Sequence, residues 1–188
     1  MNRLLLVRHA EPEIDVAVPS SAWPLTARGI ASAGRLATAV AEFAPARVIC
    51  SPEVKAVETG QVVATALGLP LAVDDQFAEH GAGPDQFIAD YREFRAIVRR
   101  FFAEPQAVVF RDESCNAAAA RFDAGVMDLT GQDDGIPIVI THGRIMSSWL
   151  ANVSGGTAWD IWTGLRMPDL IEVDLDARAF RTIAFSLT

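Results

Sequence analysis

Leu4-Leu5-Leu6-Val7-Arg8-His9-Ala10-Glu11 is an apolar run that stops abruptly at charged and titratable side chains. A short continuous run of this kind reads as a strand buried on both faces, as in parallel sheets. Arg8 and His9 then stand at its carboxyl end. Ligands of open α/β sheets bind just outside the carboxyl ends of the strands, so this junction offers a permanent cation and an imidazole capable of nucleophilic attack to the expected crevice.

The rest of the chain alternates in the same way. Glu11 to Pro24 is rich in proline, serine and acid and reads as a loop over the site. Thr26 is an N-cap for a helix whose apolar face is Ile30, Ala33, Leu36, Ala37, Val40 and Ala41. Ala46 to Cys50 is a second short strand. Ser51-Pro52-Glu53 combines a capping hydroxyl, a proline at the first helical position and an acid at the positive end of the helix dipole, so the strand is expected to turn directly into a helix. Val57, Gly60, Val63, Ala64 and Leu67 give that helix its apolar face, Gly68-Leu69-Pro70 stops it, and Leu71-Ala72-Val73 is a third strand.

From Gln76 to Asp112 the pattern loosens. Gly81, Gly83 and Pro84 precede a helix with Phe87, Tyr91, Phe94, Val98 and Phe101 on one side, and the segment 76–112 reads as an excursion covering the site. Arg92, Arg95 and Arg99 form a stripe on that helix, read as a solvated face, with a second anionic group of a substrate as the alternative. Ser114 to Gly131 is another helix and Gln132 to Gly135 a turn. Ile136 to Thr141 is a buried strand with proline tolerated near its start, followed by His142-Gly143. A helix over Ile145 to Val153 is broken at Ser154-Gly155-Gly156. Leu170 to Asp174 and Ala179 to Phe185 are two final strands around the turn at Asp176-Ala177-Arg178. This alternation predicts an α/β fold, a three-layer sandwich with a mainly parallel sheet and helices on both faces. Trp149, Trp159 and Trp162 read as core, with a homodimer face as the alternative.

Composition narrows the function classes. The 188 residues suit one domain spanning 1–188. The apolar fraction of 51% is that of a globular chain, and the formal net charge of -8 disfavours nucleic acid and anionic membrane as partners. An anionic ligand would need a local basic pocket. Two cysteines, Cys50 and Cys115, are too few for a disulfide framework and read as free thiols of a cytoplasmic protein. Neither a bilayer-length apolar span nor a signal-peptide pattern occurs in the sequence.

His9 and His142, two of three histidines, each follow a buried-strand candidate. The two strands should lie close in one sheet. Around them, Arg8-His9, Leu25-Thr26-Ala27-Arg28-Gly29, Ser51-Pro52-Glu53-Val54-Lys55-Ala56-Val57-Glu58-Thr59, Glu113-Ser114 with Arg121, and Thr141-His142-Gly143 together resemble the motifs of the histidine phosphatase superfamily, the phosphoglycerate mutase-like group. Ala10, Pro12, Lys55 and the Arg111-Asp112 pair depart from that pattern, which has glycine, threonine, arginine and glycine there.

The resemblance implies that His9 is the nucleophile accepting a phosphoryl group. It makes Arg8, Lys55 and His142, with Gly143, the phosphate-binding pocket, and Glu79 the general acid that protonates the leaving oxygen and later activates water. Phosphoryl transfer independently asks for such a set, because its catalysis is mostly positioning plus positive donors around the equatorial oxygens. Arg8 offers a bidentate fork and His142 an imidazolium donor. Lys55 supplies a point charge where a planar fork is usual. His80 reads as a substrate contact or an ordinary loop residue. The expected activity is metal-independent hydrolysis of a small phosphomonoester with no cofactor. The alternatives are a phosphoglycerate-type mutase, a catalytically weak binder of phosphorylated ligands, and a metalloenzyme using His9, His80 and His142.

Overall fold

Strand β1 (Arg3–Arg8) shows why the opening run is apolar without a break. Leu4 and Leu6 pack into one core with Phe122, Met146 and Trp149, while Leu5 and Val7 pack into a second with Leu36, Val40 and Val63. Successive strand side chains point to opposite faces, so a strand covered on both sides needs an apolar residue at every position. All four side chains are fully buried, each worth about 1.5–3 kcal/mol relative to exposure. The computed structural model describes residues 3–81, 87–130 and 135–187. The expected breaks at Gly83-Pro84 and Gln132, and the expected helix end at Gly131, lie outside them.

The other strands are β2 (Arg47–Cys50), β3 (Leu71–Val73), β4 (Pro137–Thr141), β5 (Asp169–Asp174) and β6 (Ala179–Thr182). They form one six-stranded sheet in the order β3-β2-β4-β1-β5-β6. β3, β2, β4 and β1 are parallel, and β5 and β6 continue the sheet antiparallel. Helices α1 (Ala27–Ala41) and α2 (Val54–Leu67) cover one face, and α4 (Cys115–Thr130) and α5 (Gly143–Ser154) the other. Helix α3 (Tyr91–Ala103) and the short α6 (Ala158–Gly164) lie beside them. The mainly parallel three-layer sandwich is therefore present. No helix among the described residues is long and apolar enough to cross a membrane.

Local chemistry accounts for the element ends. Thr26 caps α1, its hydroxyl accepting from Gly29 N. An added Cβ on Gly29 would come within 2.3 Å of the Glu11 carbonyl oxygen, so only glycine lets the loop after β1 pass this closely. Ala10 sits at a negative φ, which is why alanine is accepted there. Trp149 and Trp162 are core and Trp159 is half-buried.

Several expected details differ. Ile30 is 50% exposed and Ala41 is exposed, because the buried stripe of α1 is centred on Ala33, Leu36, Ala37 and Val40. Helix α2 begins at Val54, not at Pro52, and the Ser51 hydroxyl accepts from Glu53 N without capping the helix. Phe87 precedes α3, whose buried residues are Val98 and Phe101. Helix α6 was not read from the sequence, since its seven residues are too few to show a period.

Candidate active site

β1 and β4 are parallel neighbours with Arg8 in register with Thr141, so His9 and His142 emerge at the same edge of the sheet. Their ring centroids are 5.1 Å apart. His9 Nδ1 lies 2.7 Å from the Ala10 carbonyl oxygen. Because a carbonyl only accepts, Nδ1 carries the proton and Nε2 keeps its lone pair. Burial, reinforced by His142, Lys55 and Arg8, pushes the His9 pKa well below its ordinary value. The ring is a neutral imidazole with its nucleophilic nitrogen free.

His142 Nε2 lies 2.7 Å from the Ser51 hydroxyl and 3.6 Å from Glu53 Oε1, while its buried Nδ1 has no hydrogen-bond partner. Burial lowers its pKa to about 4, although Glu53 pulls the other way. The expected imidazolium is thus corrected to a neutral ring. Arg8 Nη1 donates to the Leu165 carbonyl at 3.3 Å, and Arg8 Nε is buried without a partner. Burial brings the Arg8 pKa to about 10, still charged at neutral pH. A Cβ on Gly143 would sit 3.1 Å from Arg8 Nε, so the missing side chain is what lets the guanidinium lie against the start of α5.

Lys55 and Glu53 reach the same place from the start of α2. Lys55 Nζ pairs with Glu53 Oε2 and donates to the Ser20 carbonyl at 2.7 Å, and both side chains are buried. Lys55 is therefore a neutralised cation rather than the free one expected. Glu79 also differs from its expected state. Its Oε1 accepts from His80 N and Ile145 N, both at 3.0 Å, and its Oε2 accepts from Arg144 N and faces Arg144 Nε, both at 3.2 Å. The carboxylate occupies the amino terminus of α5, where free N–H groups and the helix dipole favour an anion. Burial raises its pKa, but Arg144, the His80 amide and the nearby histidines outweigh this and hold it well below the ordinary range. The expected resting acid is a carboxylate.

The Glu113 and Arg121 motif holds Glu79 in place. Arg121 pairs with Glu113 and donates to the carbonyls of Gln76 at 2.8 Å and Ala78 at 3.1 Å, while Glu113 accepts from Gly81 N at 2.9 Å. His80 is fully buried between the Phe101 and Phe110 rings, at 4.2 and 4.5 Å between centroids, and is a packing residue. In the arginine stripe Arg92 is exposed, whereas the Arg95 guanidinium lies 5.0 Å and that of Arg99 5.6 Å over the Trp159 ring.

Arg8, His9, Lys55, Glu79, His142 and Gly143 all line one cavity of about 1180 Å³. Glu53 and Arg144 line it too, and sequence reasoning missed both, as it missed Ser51 as the partner of His142. From the sequence Glu53 reads only as a helix-start acid. Its one available signal was an acid two residues before a cation at a strand end. Among the described residues no group of three His, Cys, Asp or Glu side chains is placed to hold a metal ion.

A family model of the histidine phosphatase superfamily (branch 1) matches residues 4–184. The chain belongs to the histidine phosphatase superfamily. Solved structures with the same fold include a mycobacterial glucosyl-3-phosphoglycerate phosphatase with inorganic phosphate, at TM-score 0.74 and 17% identity, covering 98% of this chain and 96% of that one. YhfR of Bacillus stearothermophilus matches at TM-score 0.73 and 21% identity over 96% and 94% of the two chains. An Entamoeba histolytica phosphoserine phosphatase variant with phosphoserine matches at TM-score 0.74 and 15% identity over 98% and 96%. Comparison with curated proteins gives no significant match. Membership in the histidine phosphatase superfamily agrees with the fold and marks the cavity at the ends of β1 and β4, where the family-like motifs converge, as the candidate active site.

Proposed function

We propose that this histidine phosphatase hydrolyses a small phosphomonoester through a phosphohistidine on His9, without a metal. The observation that carries this reading is the pairing of a free nucleophile with free donors. His9 is neutral with Nε2 unprotonated, and in the same cavity the buried Arg8 Nε lacks a partner that a phosphoryl group would supply, as does His142 Nδ1 in the tautomer whose Nε2 accepts from the Ser51 hydroxyl. An unpaired buried donor costs about 1–3 kcal/mol, so an anion that accepts from these groups is favoured.

In the first step the Nε2 lone pair forms the N–P bond as the ester P–O bond breaks, and the leaving oxygen takes a proton. Glu79 delivers it. An anionic substrate beside this carboxylate raises its pKa and so loads it with a proton. In the second step water attacks phosphorus, its proton passes to the Glu79 carboxylate, the N–P bond breaks and the electron pair returns to Nε2. Arg8 and His142 stabilise the charge on the equatorial oxygens throughout. Cys50 and Cys115 are free and buried, which supports a reducing, cytoplasmic setting.

The Glu53–Lys55 pair favours a second reading, a weakly catalytic binder of phosphorylated ligands, because it removes one net positive charge from the pocket. Release of p-nitrophenol from p-nitrophenyl phosphate in excess chelator separates the two. Sustained turnover by the wild type, lost in His9→Ala, supports the phosphatase. Binding of phosphate with no turnover supports the second reading, and reversible loss of activity on chelation contradicts a metal-independent mechanism.

A further inference from the structure

The groups that would hold a phosphoryl group, Arg8, His9 and His142, occupy only part of the active-site cavity. Away from Arg8, His9 and His142 the walls come from the loop after β1, from the approach to and first turns of α3, and from residues 109–112 and 162–167, and they are mainly apolar, with Ser20, Arg95, Arg111 and Asp112 among them. Ten large apolar side chains are conspicuously exposed among the described residues, and six of them, Ile14, Val16, Val18, Phe87, Tyr91 and Met167, line this one cavity. Exposures reach 68% at Val16 and 64% at Tyr91. Scattered single apolar residues on a surface need no explanation, but a set gathered on one concave wall marks a place where something apolar docks.

Arg95, Arg111 and Trp23 on these walls already have partners. The Arg95 guanidinium lies over Trp159 and within 5.7 Å of the Tyr91 ring centroid, and Arg111 donates to the Gly81 carbonyl and the Ser20 hydroxyl. Trp23 Nε1 donates to the Asp15 carbonyl at 2.7 Å, leaving its ring edge to Phe87 at 6.1 Å between centroids. A leaving group rich in hydroxyls or charges would lose its water against this wall and find few free partners. An aryl or alkyl group would lose nothing. Resting on the phosphomonoesterase reading, we infer that the substrate's leaving group is a bulky apolar one, an aryl or medium-chain alkyl alcohol, seated between the loop carrying Ile14, Val16 and Val18 and the segment carrying Phe87 and Tyr91.

A homologous series tests this, because n-alkyl phosphates from ethyl to octyl lengthen the apolar part while the chemistry of the leaving oxygen stays nearly constant. The dissociation constants of the matching n-alkyl phosphonates, which cannot be hydrolysed, report the subsite whether or not turnover occurs. Each methylene is expected to tighten phosphonate binding and to raise kcat/KM by up to about fourfold until the wall is covered. Val16→Ser combined with Phe87→Ser should flatten both slopes, whereas Met127→Ser, exposed outside the cavity, should leave them as they are. Phosphonate affinities independent of chain length, or phosphoserine preferred over octyl phosphate, overturn the inference even if turnover is intact. Chain-dependent phosphonate binding without hydrolysis of any ester would uphold the subsite and overturn the phosphatase reading instead.

Discussion

Lys55 shares its buried site with Glu53, and neither side chain can be altered without exposing the other. Lys55→Ala leaves the Glu53 carboxylate without its cation beside the phosphate position, so its cost should exceed the loss of a single donor, on the order of a hundredfold or more in kcat/KM. Adding Glu53→Gln should recover much of that loss, and Lys55→Arg should retain activity because the ion pair persists. Kinetics of the two single variants and the double variant check this, and strictly additive effects would show that the pair is not coupled. Glu79 has two tasks at once, anchoring α5 and serving the chemistry. Glu79→Gln should lower kcat by about 10²–10⁴-fold while tightening phosphate binding, since a negative charge is removed from the cavity. Stability should fall by about 1–3 kcal/mol, because the amide turns N–H groups toward the Arg144 donors. A thermal melt with a steady-state KM and kcat separates the two effects. A variant that loses stability alone would mean that Glu79 only holds the helix.

At the scale of elements, the site depends on how closely two strand ends and one helix start can approach. Gly143 opens α5 against the Arg8 guanidinium, with a Cβ contact of 3.1 Å if one were present. Gly143→Ala should therefore shift Arg8 and raise KM more than it lowers stability, readable as a phosphate Kd weakened by about tenfold with a nearly unchanged Tm. An unchanged Kd would place the guanidinium elsewhere. The elements themselves were largely legible: β1, β2 and β4 because a strand between two helical layers is apolar at every position, α1 because Thr26 caps it. The start of α2 was misread by two residues because Ser51 and Glu53 turn into the site, His142 taking the hydroxyl and Lys55 the carboxylate. Side chains suited to capping had been recruited by partners more than 25 residues away along the chain or held by a neighbouring cation, and no local pattern encodes that. Arg144 was invisible for the same reason, since its meaning depends on Glu79 arriving from another part of the chain.

For the whole molecule, burying three histidines, His9, His80 and His142, links stability to pH. The His142 pKa falls from 6.5 in an unfolded chain to about 4 in the fold, and His9 is depressed as well. Between those values the unfolded chain takes up protons that the folded one refuses, so stability is fully present above about pH 6.5 and declines as pH falls toward 4. Glu79 and Glu53, held below their ordinary 4.5, add to the loss only at the acid end of that range. Sulfate, a dianion throughout, should favour the protonated rings, so the rise in Tm that it causes should grow between pH 7 and pH 5. A constant or shrinking rise would contradict the view that the anion sits beside His9 and His142. The claim on which the rest depends is that His9 carries the phosphoryl group. Incubating the enzyme with a ³²P-labelled aryl phosphate, quenching it in alkali, where phosphohistidine survives and acyl phosphates do not, and mapping the label by peptide mass spectrometry tests it directly. One labelled site at His9 in the wild type and none in His9→Ala is the result predicted; label on another residue, or turnover by His9→Ala at the wild-type rate, would contradict it.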